Sequence, residues 1–154
     1  MWPLLHDCRP DTALHAGVSA LIPNPAGLVA ALAQARYALA AARTTVPHTA
    51  HVTAVEDLST LESLLAGVPD DVRAAYSGRT LGHLLLSERA SHNMLLETLE
   101  VFLAHDCSWA RTAEALNLHV NTVHYRIQRI EALTGRDLSR LDHKLDLRAA
   151  LLCR

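Results

Sequence analysis

Apolar residues recur along this chain in two rhythms. From Leu14 to Ile22 (LHAGVSALI) they run almost without interruption until Pro23-Asn24-Pro25 ends the run. A short apolar run closed by prolines predicts a buried strand. From Ala26 to Arg43 the spacing lengthens. Leu28, Leu32, Ala35 and Leu39 fall three or four residues apart, on one face of a helix, and Pro47 follows soon after its end. His51 to Val55 (HVTAV) predicts a second strand, and Leu58 to Ala66 a second helix stopped by Gly67 and Pro69. Strand, helix, strand, helix in succession implies an α/β unit whose strands share a sheet. Two strands alone are marginal, so the unit is expected to belong to a larger sheet domain or to complete its sheet with a partner. The opening segment, Met1 to Thr12, carries Pro3 and Pro10 and reads as a tail or loop.

From Asp70 onward the strand signal disappears. Val72 to Tyr76, Leu81 to Leu86 and Asn93 to Ala104 have helical spacing, with Ser77-Gly78 and Ser87 to Ser91 as breaks. The last of these segments puts Leu95, Leu96, Leu99, Phe102 and Leu103 on one face, as a helix against a core requires. The expected fold class is α+β, mostly α: a partial βαβα unit followed by an all-α domain. The boundary is expected between Gly78 and Ser91, giving domains 1–80 and 81–154.

The most informative stretch runs from Ser108 to Gly135. Ser108 suits the N-cap of a short helix from Trp109 to Leu116. Asn117 follows, and Asn is a common substitute for Gly where a tight turn needs a left-handed backbone. A second helix is expected from Val120 to Leu133, with Val123, Ile127, Ile130 and Leu133 on its buried side and Gly135 ending it. Two helices crossing steeply through a short turn need a small residue where they touch, and Ala113 is placed for that. Leu116, Leu118 and Val123 then close the wedge, holding the second helix out so that its N-terminal half can enter a major groove. The outward residues are polar and suit a groove: His119, Asn121, Thr122, His124, Tyr125, Gln128 and Arg129, with Arg126 near the edge. Asn and Gln pair bidentately with adenine, while Thr, Tyr and Arg contact phosphates. Arg111 projects from the first helix, which crosses the backbone in such motifs. A solvated polar helix face is the plain alternative, and the turn register is what argues against it.

Composition changes this picture little. Half of the 154 residues are hydrophobic and 4% are aromatic, so the core is built from Ala, Leu and Val, a composition that favours helices. Net charge is −2, but its distribution matters more than its sum. Residues 1–90 carry six Arg against eight Asp or Glu, whereas 107–136 carry four Arg (Arg111, Arg126, Arg129, Arg136) against Glu114 and Glu131. Cys8, Cys107 and Cys153 form neither a disulfide framework nor a zinc pattern, so reduced thiols are expected. No run approaches bilayer length and no secretory leader is evident. A cytoplasmic protein without membrane contact is the expectation.

The stretch H-V-N-T-V-H-Y-R-I-Q-R-I-E-A-L-T-G-R-D-L, with L-D-L-R-A-A-L at Leu145 to Leu151, resembles the C-terminal helix-turn-helix of the PucR/CdaR family of bacterial regulators. The features that carry the likeness are the N-T pair opening the second helix, Y-R one turn later, R-I-E, then G-x-D-L and a last leucine-rich helix. The resemblance covers Leu95 to Arg154. It implies that Asn121, Thr122, Tyr125 and Arg126 form the core of the DNA-contacting surface. His124 departs from it, since Arg is frequent there, and removes a positive charge. More loosely, Ala16–Ser19 (AGVS) and the L-x3-L-x2-A helix at Leu28–Ala35 are similar to the end of the GGDEF-like domain that precedes the helix-turn-helix in many such regulators. No G-G-[DE]-E-F sequence is present, so no cyclase chemistry is expected. On that resemblance the front of the domain is missing, and with it the part through which a small-molecule effector would act.

Other motifs carry less. His48-x2-His51 has metal-like spacing but no Cys or carboxylate beside it, and surface histidines are the expected reading. His105-Asp106-Cys107 could suggest a nucleophile, yet chain neighbours seldom face each other productively. No Walker A loop, G-x-S-x-G or G-x-G-x-x-G occurs. Neither enzyme activity nor a cofactor nor a metal is expected. The favoured expectation is a sequence-specific regulator of transcription that binds double-stranded DNA as a homodimer, because one short helix reads few bases. The competing one is a protein-interaction or signal-relay module that uses the same helix face.

Overall fold

The structure is a computed structural model, and it describes residues 12–85 and 90–154. The expected tail over 1–11, Cys8, Leu86 and the expected break at 87–89 lie outside the described residues. The chain divides into two compact units, Met1–Val72 and Arg73–Arg154. Among the described residues there are seven α-helices and one two-stranded parallel sheet, so the molecule is mostly helical.

In the first unit β1 (His15–Val18) pairs in parallel with β2 (His51–Ala54), His15 opposite His51 and Val18 opposite Ala54. The helix α1 (Leu28–Thr45) connects them and lies against the sheet. The first strand is shorter than the expected Leu14–Ile22 and is not buried: Val18 is half exposed and Leu21 almost wholly so. A turn at Pro25–Gly27, capped by the Asn24 side chain, separates it from α1. The packed face of α1 also differs from the expected leucine stripe. Ala31, Ala38, Ala41 and Ala42 are buried, whereas Leu28 and Leu32 are exposed. Close approach decides this. A Cβ on Gly17 of β1 would collide with the Ala35 carbonyl oxygen and the Leu39 nitrogen, so the interface admits only small groups. His15 fixes the far end by donating from Nε2 to the Val46 carbonyl at 2.8 Å. After β2 comes α2 (Leu61–Ala66), capped reciprocally by Thr60 and Ser63 and bound to α1 where the Tyr37 hydroxyl donates to the Leu64 carbonyl.

The helix α3 (Asp70–Leu81) opens in the first unit and continues into the second. It runs unbroken through Ser77-Gly78, contrary to the sequence expectation. Buried Ser77, Thr80 and Leu81 anchor that turn, and their packing outweighs the roughly 1 kcal/mol by which a helical Gly is disfavoured. The break falls instead at Gly82, whose φ of +49° starts a tight turn over Gly82–Leu84. The second unit then adds α4 (Ala90–Ala104), α5 (Trp109–Ala115), α6 (Val120–Thr134) and α7 (Leu141–Leu152). Their common core contains Leu99, Phe102, Val123, Ile127, Ile130 and Leu147, each at most 1% exposed.

Candidate nucleic-acid interface

The geometry of α5 and α6 is set by three left-handed residues and two side-chain caps. The chain leaves α4 through Asp106 (φ 54°) and Cys107 (φ 59°), and the Cys107 amide reaches back to the Phe102 carbonyl at 2.8 Å. Ser108 then caps α5 by accepting from the Arg111 amide at 3.4 Å, as its position suggested. Asn117 adopts φ 53°, the left-handed turn expected of it, and the following Leu118 amide donates to the Ala113 carbonyl at 2.8 Å. Ala113 is 4% exposed and sits where the helices meet, with Leu118 partly buried beside the core. His119 caps α6 through Nδ1, which accepts from the Asn121 amide at 3.2 Å. Val123, Ile127 and Ile130 face inward, and Gly135 at φ 66° ends the helix.

Beyond α6 a tight corner returns the chain to the core. The Glu131 carboxylate accepts from the Leu138 amide at 2.7 Å, and His143 Nδ1 from the Asp137 amide at 2.9 Å. Arg136 pairs with Asp146 at 2.5 Å across this corner. These bonds account for the G-R-D-L signature as a structural joint: it returns α7, whose Leu147 and Ala150 are buried, to the core beside α4.

The nine residues singled out in the sequence fall into distinct settings. Asn121 and Tyr125 stand one turn apart on the exposed ridge of α6, Tyr125 being 69% exposed, and Gln128 and Arg129 continue that exposed face. His124 lies on one flank, stacked on the Trp109 indole with ring centres 3.9 Å apart and planes within 13°. His124 and Gln128 there line a cavity of about 380 Å³ with Trp109, Cys107 and Lys144. Burial pushes the Cys107 thiol up, which favours its protonated form. Thr122, Tyr125, Arg126 and Arg129 line a second cavity, of about 370 Å³, on the other flank. Arg126 is tied down at its bottom, donating to Thr98 Oγ1 at 3.1 Å and towards Met94 Sδ at 3.8 Å. Arg111 is held apart from these, paired with Asp106 at 2.9 Å. His119 is exposed at the helix start.

Sequence reasoning missed three neighbours: Trp109 under His124, and Ser91 and His92 on the wall of the second cavity. The apolar spacing leaves the last two in a break or in no element, and periodicity could not have brought a helix 30 residues upstream against α6. Among the described residues no group of His, Cys, Asp or Glu could hold a metal ion, and no helix is long and apolar enough to cross a membrane.

Comparison with known proteins bears on the same segment. Residues 95–153 match the PucR C-terminal helix-turn-helix domain. An uncharacterized protein in the pkwA 5′ region of Thermomonospora curvata is 43% identical over 91 residues, 59% of this chain and 48% of that protein. The proline-responsive transcriptional activator PutR of Bacillus subtilis is 39% identical over 64 residues, 42% of this chain and 16% of the activator. The carbohydrate diacid regulator of Escherichia coli is 35% identical over 91 residues, 59% of this chain and 23% of the regulator. The matched region thus spans less than half the length of each of these relatives. With α4 through α7 arranged as described, the segment 95–153 is similar to helix-turn-helix domains of the PucR C-terminal kind.

Proposed function

We propose that this chain is a sequence-specific DNA-binding regulator of transcription that reads the major groove with α6. The observation that carries the reading is the exposed ridge of Asn121 and Tyr125, held out from the core by the left-handed turn at Asn117. A helix end presented in this way fits a groove, and its side chains suit base edges and phosphates. Asn121 is assigned to base contact, Thr122, Tyr125 and Arg129 to the backbone beside it, and Gln128 to the far end of the reading face. Arg126 stays at the edge, oriented by Thr98. His119, His124 and Arg111 border the surface, the last where α5 would cross the backbone. The DNA-binding domain is taken as 81–154, and residues 1–80 as a GGDEF-like α/β unit that dimerises or relays a signal. The working form is a cytoplasmic homodimer, because two half-sites double the readout.

The test is duplex binding across a salt series. Affinity should fall steeply as salt rises, in proportion to the phosphates neutralised. Asn121→Ala should relax specificity at one base position, costing on the order of 1–3 kcal/mol there. Affinity indifferent to salt would overturn the reading, and an unchanged site preference in Asn121→Ala would remove that residue from the reading face.

A further inference from the structure

The two cavities flanking α6 differ in chemistry. The one beside Trp109 contains both an acid, Glu131, and a cation, Lys144. Among the described residues the other is lined by no carboxylate: besides Met94 and Leu95 it has Ser91, His92, Thr122, Tyr125, Arg126 and Arg129. Two guanidiniums thus share one wall with two hydroxyls, and no carboxylate is among the described residues that line the cavity. Arg126 is already oriented by Thr98, whose own hydroxyl is committed to the Met94 carbonyl at 2.7 Å, so it loses little freedom when it engages a ligand. On the facing wall His92 Nδ1 is buried and has no hydrogen-bond partner among the described residues. Ser91 and His92 also stand in the first turn of α4, a 15-residue helix whose leading amides and dipole favour an anion.

We propose that this cavity takes an oxyanion, a backbone phosphodiester of duplex DNA, gripped between Arg126 and Arg129 of α6 and the first turn of α4. The inference rests on the DNA-binding reading for the source of the phosphate. It adds a second element, α4, to the interface and gives it a role in alignment. A phosphate held beside the reading ridge fixes the register in which Asn121 meets a base. A free phosphate ester would offer the same chemistry, so the experiment must separate the two.

The informative variant is Ser91→Glu in the full chain. Glu in the first turn of a helix suits the dipole, so Tm should hold or rise. In the cavity the same carboxylate repels a phosphate. Binding to a random-sequence duplex should therefore weaken by about eightfold at roughly 0.1 M salt, with the log–log salt slope reduced by about 1, the share of one phosphate contact. Arg129→Gln should do the same. Leu145→Glu, at an exposed position of α7 outside the cavity, adds the same charge and should leave the slope unchanged. Inorganic phosphate alone, followed through the amide NMR signals of Ser91, His92 and Arg129, should shift them only weakly at millimolar concentration. If the wild type binds duplex and Ser91→Glu binds equally well, the cavity is not a phosphate site, while the DNA-binding reading stands. If inorganic phosphate saturates the site and duplex does not bind, a free ester is the ligand and the backbone assignment is wrong. If neither binds, both the cavity inference and the DNA-binding reading fall.

Discussion

Asn117 carries the angle between α5 and α6 on a backbone with φ 53°, a region that costs an ordinary L-residue about 1–2 kcal/mol. Asn is among the few residues that enter this region at low cost, because its side chain is short and polar. Asn117→Val is therefore expected to lower the unfolding free energy by about 1–2 kcal/mol, read from the urea midpoint, while Asn117→Gly stays within about 0.5 kcal/mol of the wild type. A valine variant as stable as the parent would mean that the turn can be rebuilt. His124 poses a question of charge. Its ring lies flat on Trp109, and a guanidinium can take the same place over an indole while adding a permanent positive charge. His124→Arg should tighten duplex binding and steepen the log–log salt slope by about 1. An unaltered slope would place position 124 away from the backbone. The left-handed Asn and the Ser108 cap were legible in the sequence because each is a local demand on one residue type. The stack on Trp109 was not, since it depends on how α5 crosses α6.

Between elements, legibility follows how strongly a pattern constrains its neighbour. The helices α4 and α6 bury large residues at regular spacing, so their inward faces could be read directly. The helix α1 misled in part: Ala35 and Leu39 of its expected stripe lie against Gly17 of the sheet, but Leu28 and Leu32 are exposed and alanines fill the rest of the buried face. Spacing registers hydrophobicity and is silent on the room available. Gly17→Ala should thus separate β1 from α1, since the new methyl meets backbone atoms that cannot rotate away. We expect a loss of about 1–3 kcal/mol, with faster hydrogen exchange at the β1 and β2 amides; unchanged exchange would show that the strand can shift to make room. At the start of α7, Arg140 chiefly holds the Asp142 carboxyl down at about 2, and hydrogen bonds from Ser139 lower Asp137 as well. Both folded-state values lie below the ordinary Asp range, so their stabilising effect is full above about pH 4 and is lost as pH falls towards 2. Both carboxylates are exposed and the effect is small. Asp142→Asn should flatten that part of the Tm–pH curve between pH 4 and 2, and an identical curve would mean the Arg140 pair contributes nothing.

For the whole molecule the governing quantity is how charge is apportioned, since the chain as a whole is anionic. Residues 107–136 carry a local excess of two positive charges, whereas residues 1–90 carry a net −2. Mean charge would thus have excluded a DNA-binding protein that local charge permits, and one such domain makes too few phosphate contacts for tight, specific binding. The proposed homodimer would double those contacts, and it has a thermodynamic signature. Each bound copy releases counterions in proportion to the phosphates it neutralises, so two copies on one duplex double the exponent of the salt dependence. With half-sites one helical turn apart, about 34–36 Å, or a multiple of that, the log–log salt slope should be about twice that on a single half-site. Sedimentation velocity of the free protein separates two routes to that result. A dimer already present in solution gives the doubled slope with simple binding curves, whereas monomers that meet on DNA give it with cooperative ones. Equal slopes on one and two half-sites would mean that a single copy occupies the duplex, and the homodimer would have to be given up.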